Sequence, residues 1–217
     1  MPTAPPNIRQ WSISISIALL IITGLVIGAI FFLQANQEQT IEKRDPYANN
    51  VLSPPRPAMP FNLTNHHGNS VSLEAFGSNP ILLTFLYTNC TKACPITTAK
   101  LRLLARMLAN SENQLEIVVI SVDPERDSIT STHSYSKQWE MENSWHYLTG
   151  SREELEPIWE HYWARPTSQV TTEPITGYIS HSPPLFMIVN REIILAMSNN
   201  TFDANTFVEY LATLGEK

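Results

Sequence analysis

Cysteine is nearly missing from this chain: Cys90 and Cys94 are the only two in 217 residues. A closed structural zinc site wants four ligands, so two thiols build one only by recruiting at least two histidines. Basic residues are also scarce, 14 Lys and Arg against 20 Asp and Glu, for a net charge of -6. Phosphate contacts need a basic surface, which argues against a nucleic-acid partner. Charge is absent altogether from Trp11 to Leu33, and no acidic residue occurs from Ala75 to Ser111. Those two gaps mark the stretches that organise the chain.

The first gap, WSISISIALLIITGLVIGAIFFL, runs for 23 residues. About 20 helical residues cross a bilayer core, so residues 11–33 are predicted to be a transmembrane anchor. A buried core helix would show a polar face, and the apolar region of a signal peptide is usually about 7–15 residues long. Leu33-Gln34-Ala35 is also a poor cleavage site. Gly24 and Gly28 form a GxxxG, a spacing through which two such helices can pair into a homodimer. Arg9 lies in the tail 1–10, while Lys43 and Arg44 follow the span mixed with Glu38, Glu42 and Asp45, so basic residues alone do not orient it. Residues 34–57 are polar and then proline-rich and read as a tether with a span on the order of 30 Å. Residues 58–217 form the remaining domain.

Phe61 to Leu73 holds two short alternating runs around His-Gly-Asn, a β-hairpin pattern with His66 and His67 at an exposed turn. Adjacent histidines there are either solvated or an accessory metal contact. Ile81 to Tyr87 is uncharged and reads as a strand buried on both faces. Ile96, Ala99, Leu103, Leu104, Met107 and Leu108 recur at helical spacing after Pro95, a residue suited to a first helical turn. Leu115 to Asp123 is a second buried strand, and the order strand, helix, strand predicts a parallel βαβ unit. A helix capped at Asp127 or Ser128 follows, then one opened by the capping box Ser151 and Glu154 and running to about His161, with Pro157 inside it. PLFMIVN and EIILAMS read as an antiparallel hairpin, and a final amphipathic helix runs from about Asp203 to Leu214. The predicted fold is α/β, a thioredoxin-like sheet of four or five strands flanked by helices, with the two thiols at the first strand-to-helix turn.

Spaced i, i+4, Cys90 and Cys94 would share one face of a helical turn. They could form a disulfide, redox-active or structural. Two soft thiolates also suit Cu(I). Lys92 between them and the helix N-terminus both favour thiolate over thiol. His181 precedes the strand PLFMIV, which in such a sheet lies beside the dithiol, so its imidazole could complete a site of two sulfurs and one nitrogen.

FLYTNCTKACP, ISVDPERDS, LTG and GYISHSPPLFMIV, in this order, resemble the Sco/SenC family of membrane-anchored copper chaperones, from about Phe61 to the C-terminus. The resemblance implies that Cys90, Cys94 and His181 are copper ligands and that Asp123 lies near the site and influences it. It further implies delivery of copper, as Cu(I) or Cu(II), to the dinuclear site of cytochrome c oxidase subunit II, directly or through its copper-delivery proteins. No substrate bond is made or broken, so an enzyme is not expected. The domain would face the periplasm from a bacterial inner membrane, rather than lie in mitochondria, which places the N-terminus in the cytoplasm. Thr91 and Lys92 depart from the proline and acidic residue common after the first family cysteine. Pro183 matches the proline that flanks the dithiol in thioredoxin-like reductases, which keeps open an alternative: reduction of the partner's copper-ligand cysteines. A peroxide-reducing enzyme on the same fold would use Thr91 and Cys94 and needs a nearby arginine.

Overall fold

The computed structural model describes residues 19–32, 46–109, 114–166 and 183–215. The chain divides into two units, Met1–Arg44 and Asp45–Lys217. In the first, residues 19–32 are helical (α1) and every one of them is exposed. Thr23 Oγ1, the one side-chain hydroxyl of α1, donates back to the Leu19 carbonyl at 2.7 Å, so its polar atom is satisfied within the helix. The expected span 11–33 continues past the described residues at both ends. Among the described residues no helix is long and apolar enough to cross a membrane.

The second unit is built on an eight-stranded sheet. Its elements are β1 (Val51–Pro57), β2 (Asn62–Asn65), β3 (Ser70–Ser72), β4 (Ile81–Leu86), α2 (Ala93–Leu108), β5 (Glu116–Ser121), α3 (Ile129–Gln138), β6 (His146–Thr149), α4 (Arg152–His161), β7 (Pro184–Val189), β8 (Glu192–Ser198) and α5 (Ala204–Gly215). Across the sheet the order is β1-β8-β7-β4-β5-β6-β2-β3. β4, β5 and β6 run parallel through the crossovers α2 and α3, and β7 joins β4 antiparallel, with Thr84 opposite Leu185. This is the mixed α/β, thioredoxin-like arrangement.

β4 is buried along its whole length, with Leu82, Leu83, Phe85 and Leu86 at 0% exposure, which is why the run shows no alternation. Burying four such side chains at about 1.5–3 kcal/mol each makes this strand the main apolar anchor of the dithiol turn that follows it. α2 is tied to the turn before α5 by Lys100, whose Nζ donates to the carbonyls of Asn199 at 2.6 Å and Phe202 at 2.8 Å. At the other side of the sheet, Ser151 and Glu154 form the capping box of α4, and the buried Trp159 indole donates to the Ser121 carbonyl at 2.9 Å. β7 and β8 turn through Asn190 and Arg191, at φ 51° and 64°, the left-handed pair that a two-residue hairpin requires.

Two expectations change. Among the described residues the sheet has eight strands rather than four or five, because β1, β2, β3 and β6 are short or lie toward the edges, where the apolar pattern is weakest. Residues 51–57, read above as the end of the tether, form the edge strand β1 against β8. Pro54, Pro55 and Pro57 have no N–H to offer, which an edge strand tolerates because, among the described residues, one side of it pairs with nothing. The packed unit begins earlier still: Tyr47 is buried against Phe207 and Tyr210 and donates to the Asp203 carbonyl at 3.1 Å.

Candidate metal centre

Cys90 and Cys94 lie just beyond the C-terminal end of β4, at the start of α2. The helix begins at Ala93, so only Cys94 is helical and Cys90 sits in the turn before it. This corrects the expectation of two thiols on one helical face. Instead, the Cys90 sulfur takes the part of a cap. Lys92, the N-cap residue, makes no side-chain cap bond, and the Cys94 N–H donates to Cys90 Sγ at 3.3 Å. The Cys90 N–H in turn donates to the Tyr87 carbonyl at 3.3 Å, which closes the turn on the strand.

The two thiols are unequal. Both are free; Cys94 is buried, whereas Cys90 is half-buried. The Cys90 pKa is lowered to about 5, first by a hydrogen bond from the Cys94 thiol, then, against the opposing effect of burial, by the backbone N–H groups of Cys94 and Lys92 and the Tyr87 side chain. Lys92 thus acts through its backbone as well as through any charge. The Cys94 thiol is pushed far up, because it donates to the Cys90 sulfur and is itself buried. At neutral pH the pair is a thiolate facing solvent and a thiol behind it. A soft, negatively charged sulfur with a second sulfur in contact fits Cu(I), and the same arrangement fits thiol-disulfide exchange.

Two carboxylates follow β5 at the same sheet edge. Asp123 is buried and paired with Arg126, and burial raises its pKa while Arg126 opposes the rise. Asp127 is the more central. Its carboxylate accepts from the Thr88 N–H at 3.0 Å, the Thr88 hydroxyl at 2.6 Å, the Ser121 hydroxyl at 2.7 Å and the Tyr147 hydroxyl at 3.2 Å. It therefore holds the turn that carries Cys90 onto β5 and β6, and it is one of the charges that raise the Cys94 pKa. The sequence offered Asp127 or Ser128 as the cap, a reading compatible with a functional role for Asp127; the cap of α3 is Ser128, which accepts from the Ser131 N–H at 3.1 Å. The signal available was a second aspartate four residues after the first, which in an isolated sequence reads equally well as a cap.

His181 lies outside the described residues, as does Ser182 and with it the peptide bond before Pro183. What is described is the entry to β7: Pro184 begins the strand, and its carbonyl accepts from the Thr84 hydroxyl at 2.8 Å, beside the C-terminal end of β4. His66 and His67 are found at the hairpin turn, as predicted, but His66 is 1% exposed rather than solvated. They belong to the opposite edge of the sheet, near the start of β6, and take no part in the dithiol site.

Among relatives, the chain is similar to the SCO1 protein homolog of Bacillus subtilis, with 34% identity over 139 residues, 63% of this chain and 67% of that protein. It is 28% identical over 182 residues to the Arabidopsis thaliana mitochondrial protein SCO1 homolog 1, covering 80% of this chain and 52% of the relative. Among solved structures it resembles BsSco, described as a Sco-family cytochrome c oxidase assembly protein with a disulfide switch, at TM-score 0.62 and 20% identity over 76% of this chain and 96% of that one. It also resembles Bradyrhizobium japonicum ScoI with copper bound, at TM-score 0.61 and 22% identity over 73% and 98% of the two chains. A family model described as SCO1/SenC matches residues 51–216, and by that match the chain belongs to the SCO1/SenC family.

Proposed function

We propose that the chain is a membrane-anchored copper chaperone of cytochrome c oxidase assembly, which carries copper on Cys90, Cys94 and His181 and passes it to the dinuclear copper site of subunit II. The unequal dithiol carries this reading. Copper is the cargo, and an accessible thiolate backed by a buried thiol offers a soft site that a partner's cysteines can empty by stepwise ligand exchange. His181 stands three residues before β7, which begins at the dithiol edge, and an imidazole nitrogen added to two sulfurs suits Cu(II) as well as Cu(I). Asp123, held by Arg126, adds a carboxylate at that edge and acts on the site without ligating it.

The helix α1 supports the anchor, since its apolar side chains are all exposed and it carries no charge. With the domain outside the cytoplasm of a bacterial cell, Arg9 lies on the inner side. The full chain in detergent, reduced and titrated with Cu(I), binds one equivalent; His181→Ala weakens that binding strongly and leaves thiol exchange nearly intact. Equal affinity in the His181→Ala variant overturns the ligand assignment.

The second reading, a thiol-disulfide reductase for the partner's copper-ligand cysteines, is favoured by the same inequality of the thiols. Cys90 thiolate attacks the partner disulfide and releases one partner thiolate. Cys94 then gives up its proton and attacks the mixed disulfide, leaving the partner reduced by two electrons and this chain oxidised. A mixed disulfide trapped in Cys94→Ser, with no copper uptake by the parent, selects this reading.

A further inference from the structure

Four of the chain's six histidines gather outside the dithiol site. His66 and His67 come from the β2–β3 turn, His133 from α3 and His146 from the start of β6. Their ring centroids lie 4.2 Å apart for His66 and His67, 6.2 Å for His66 and His133, and 5.7 Å for His67 and His133. Histidine binds metal through a neutral imidazole nitrogen.

The members have different tasks. His66 is spent on structure: its Nδ1 accepts from the Tyr147 N–H at 3.2 Å and its Nε2 donates to the Glu142 carbonyl at 3.0 Å, so both nitrogens are used. His146 faces Glu116 at 3.4 Å. His67 is exposed and held by one bond of its ring, Nε2 to the same Glu142 carbonyl at 3.0 Å. His133 Nε2 stands 3.3 Å from Glu142 Oε1. That distance is longer than a charge-assisted hydrogen bond, about 2.7–2.9 Å. It matches the edge of a tetrahedral shell, where a nitrogen and an oxygen each about 2.0–2.1 Å from one ion lie roughly 3.3 Å apart. Two imidazoles on one such ion have centroids roughly 5–6 Å apart, which the 5.7 Å between His67 and His133 satisfies.

We propose that His67, His133 and Glu142 form a second metal site on this chain, two imidazoles and one carboxylate that take a divalent transition ion such as Cu2+ independently of the dithiol. Among the described residues no group of three such side chains is placed to hold an ion as it stands. His133 and Glu142 are in place, and the site closes when the His67 ring turns off the Glu142 carbonyl and moves its proton to the other nitrogen. The supports are firm: the His67 N–H donates to Asn65 Oδ1 at 3.0 Å, Gly68 makes the turn at φ 83°, and His133 rides on a capped helix. A cavity of about 540 Å3 is lined by His67 and Glu142, with His133 outside its lining. The donor set lacks sulfur, so it prefers Cu2+ or Zn2+ to Cu(I).

The test uses the full chain in detergent with the dithiol site removed, as Cys90→Ser, Cys94→Ser, His181→Ala. Titrated with Cu2+, this protein binds one equivalent whose electron paramagnetic resonance spectrum shows coupling to two imidazole nitrogens. Adding His67→Gln or His133→Gln weakens binding by more than about 100-fold, beyond the roughly 10–100-fold cost of disturbing only a ligand's support, and His146→Gln leaves it unchanged. Absence of nitrogen coupling in the starting protein, or unchanged affinity in the His67→Gln, His133→Gln double variant, overturns the proposal. Because the dithiol is absent throughout, either result is independent of what Cys90 and Cys94 do.

Discussion

Cys90 should be an anionic sulfur well below neutral pH, and the pH at which it is alkylated reports this more sharply than its rate at pH 7. With a pKa of about 5, Cys90 is roughly three-quarters thiolate at pH 5.5, whereas a free cysteine of pKa about 8.5 is about 0.1% thiolate. That is a population ratio of roughly 750. A thiolate of lower pKa is a weaker nucleophile, and a Brønsted coefficient of about 0.4–0.5 across this difference removes roughly 40-fold. Cys90 in the reduced, metal-free chain should therefore react with iodoacetamide roughly 20-fold faster than free cysteine at pH 5.5 and at a similar rate at pH 7. Cys94, buried and protonated, should remain unlabelled. Stopped-flow alkylation from pH 4 to 9, with the labelled residue identified by mass spectrometry, reads the midpoint. In Cys94→Ala the first donor to the Cys90 sulfur is gone, so the midpoint should climb by about one pH unit or more, yet stay below the ordinary thiol value because the backbone N–H groups remain. A parent midpoint near 8.5, or no movement in Cys94→Ala, would refute the inequality on which both functional readings rest.

Asp127→Ala leaves the Thr88 N–H and the hydroxyls of Thr88, Ser121 and Tyr147 without their acceptor, so urea unfolding should show a loss of about 3 kcal/mol; a loss below about 1 kcal/mol would mean that water replaces the carboxylate. His66 has its pKa lowered, chiefly by burial, with His67, His133 and His146 adding repulsion against the bond to Glu142. The unfolded chain then binds the extra proton, so this residue's contribution is complete above about pH 6.5 and is lost as the pH falls toward the lower folded value. Urea midpoints between pH 5 and 8 should show that slope in the parent and less of it in His66→Gln. Gly150→Ala would bring a Cβ to 2.9 Å from both Glu154 Oε2 and Leu63 Cδ2. Displacing Glu154 from the Ser151 N–H, now 2.7 Å away, costs a cap of about 1 kcal/mol, visible as a lower Tm.

What could be read from the sequence was whatever local periodicity or a short cap dictates. The unalternating run of β4, the helical spacing after Pro95 and the Ser151–Glu154 box each name an element from residues within a few positions of one another, and each element formed where its pattern lay. The edge strand β1 escaped because three prolines in seven residues read as a tether, and its partner, β8, is more than a hundred residues away. Tertiary structure alone decided the electrostatics. It turned Asp127 inward under the Cys90 turn, placed the Cys90 sulfur rather than a hydroxyl at the N-terminus of α2, and drew His67 and His133 to one patch from positions 66 residues apart in sequence. The physical reason is one of range. The sequence by itself determines which groups can ionise or ligate, but pKa and coordination depend on burial and on neighbours a few ångströms away, and those neighbours come from distant parts of the chain.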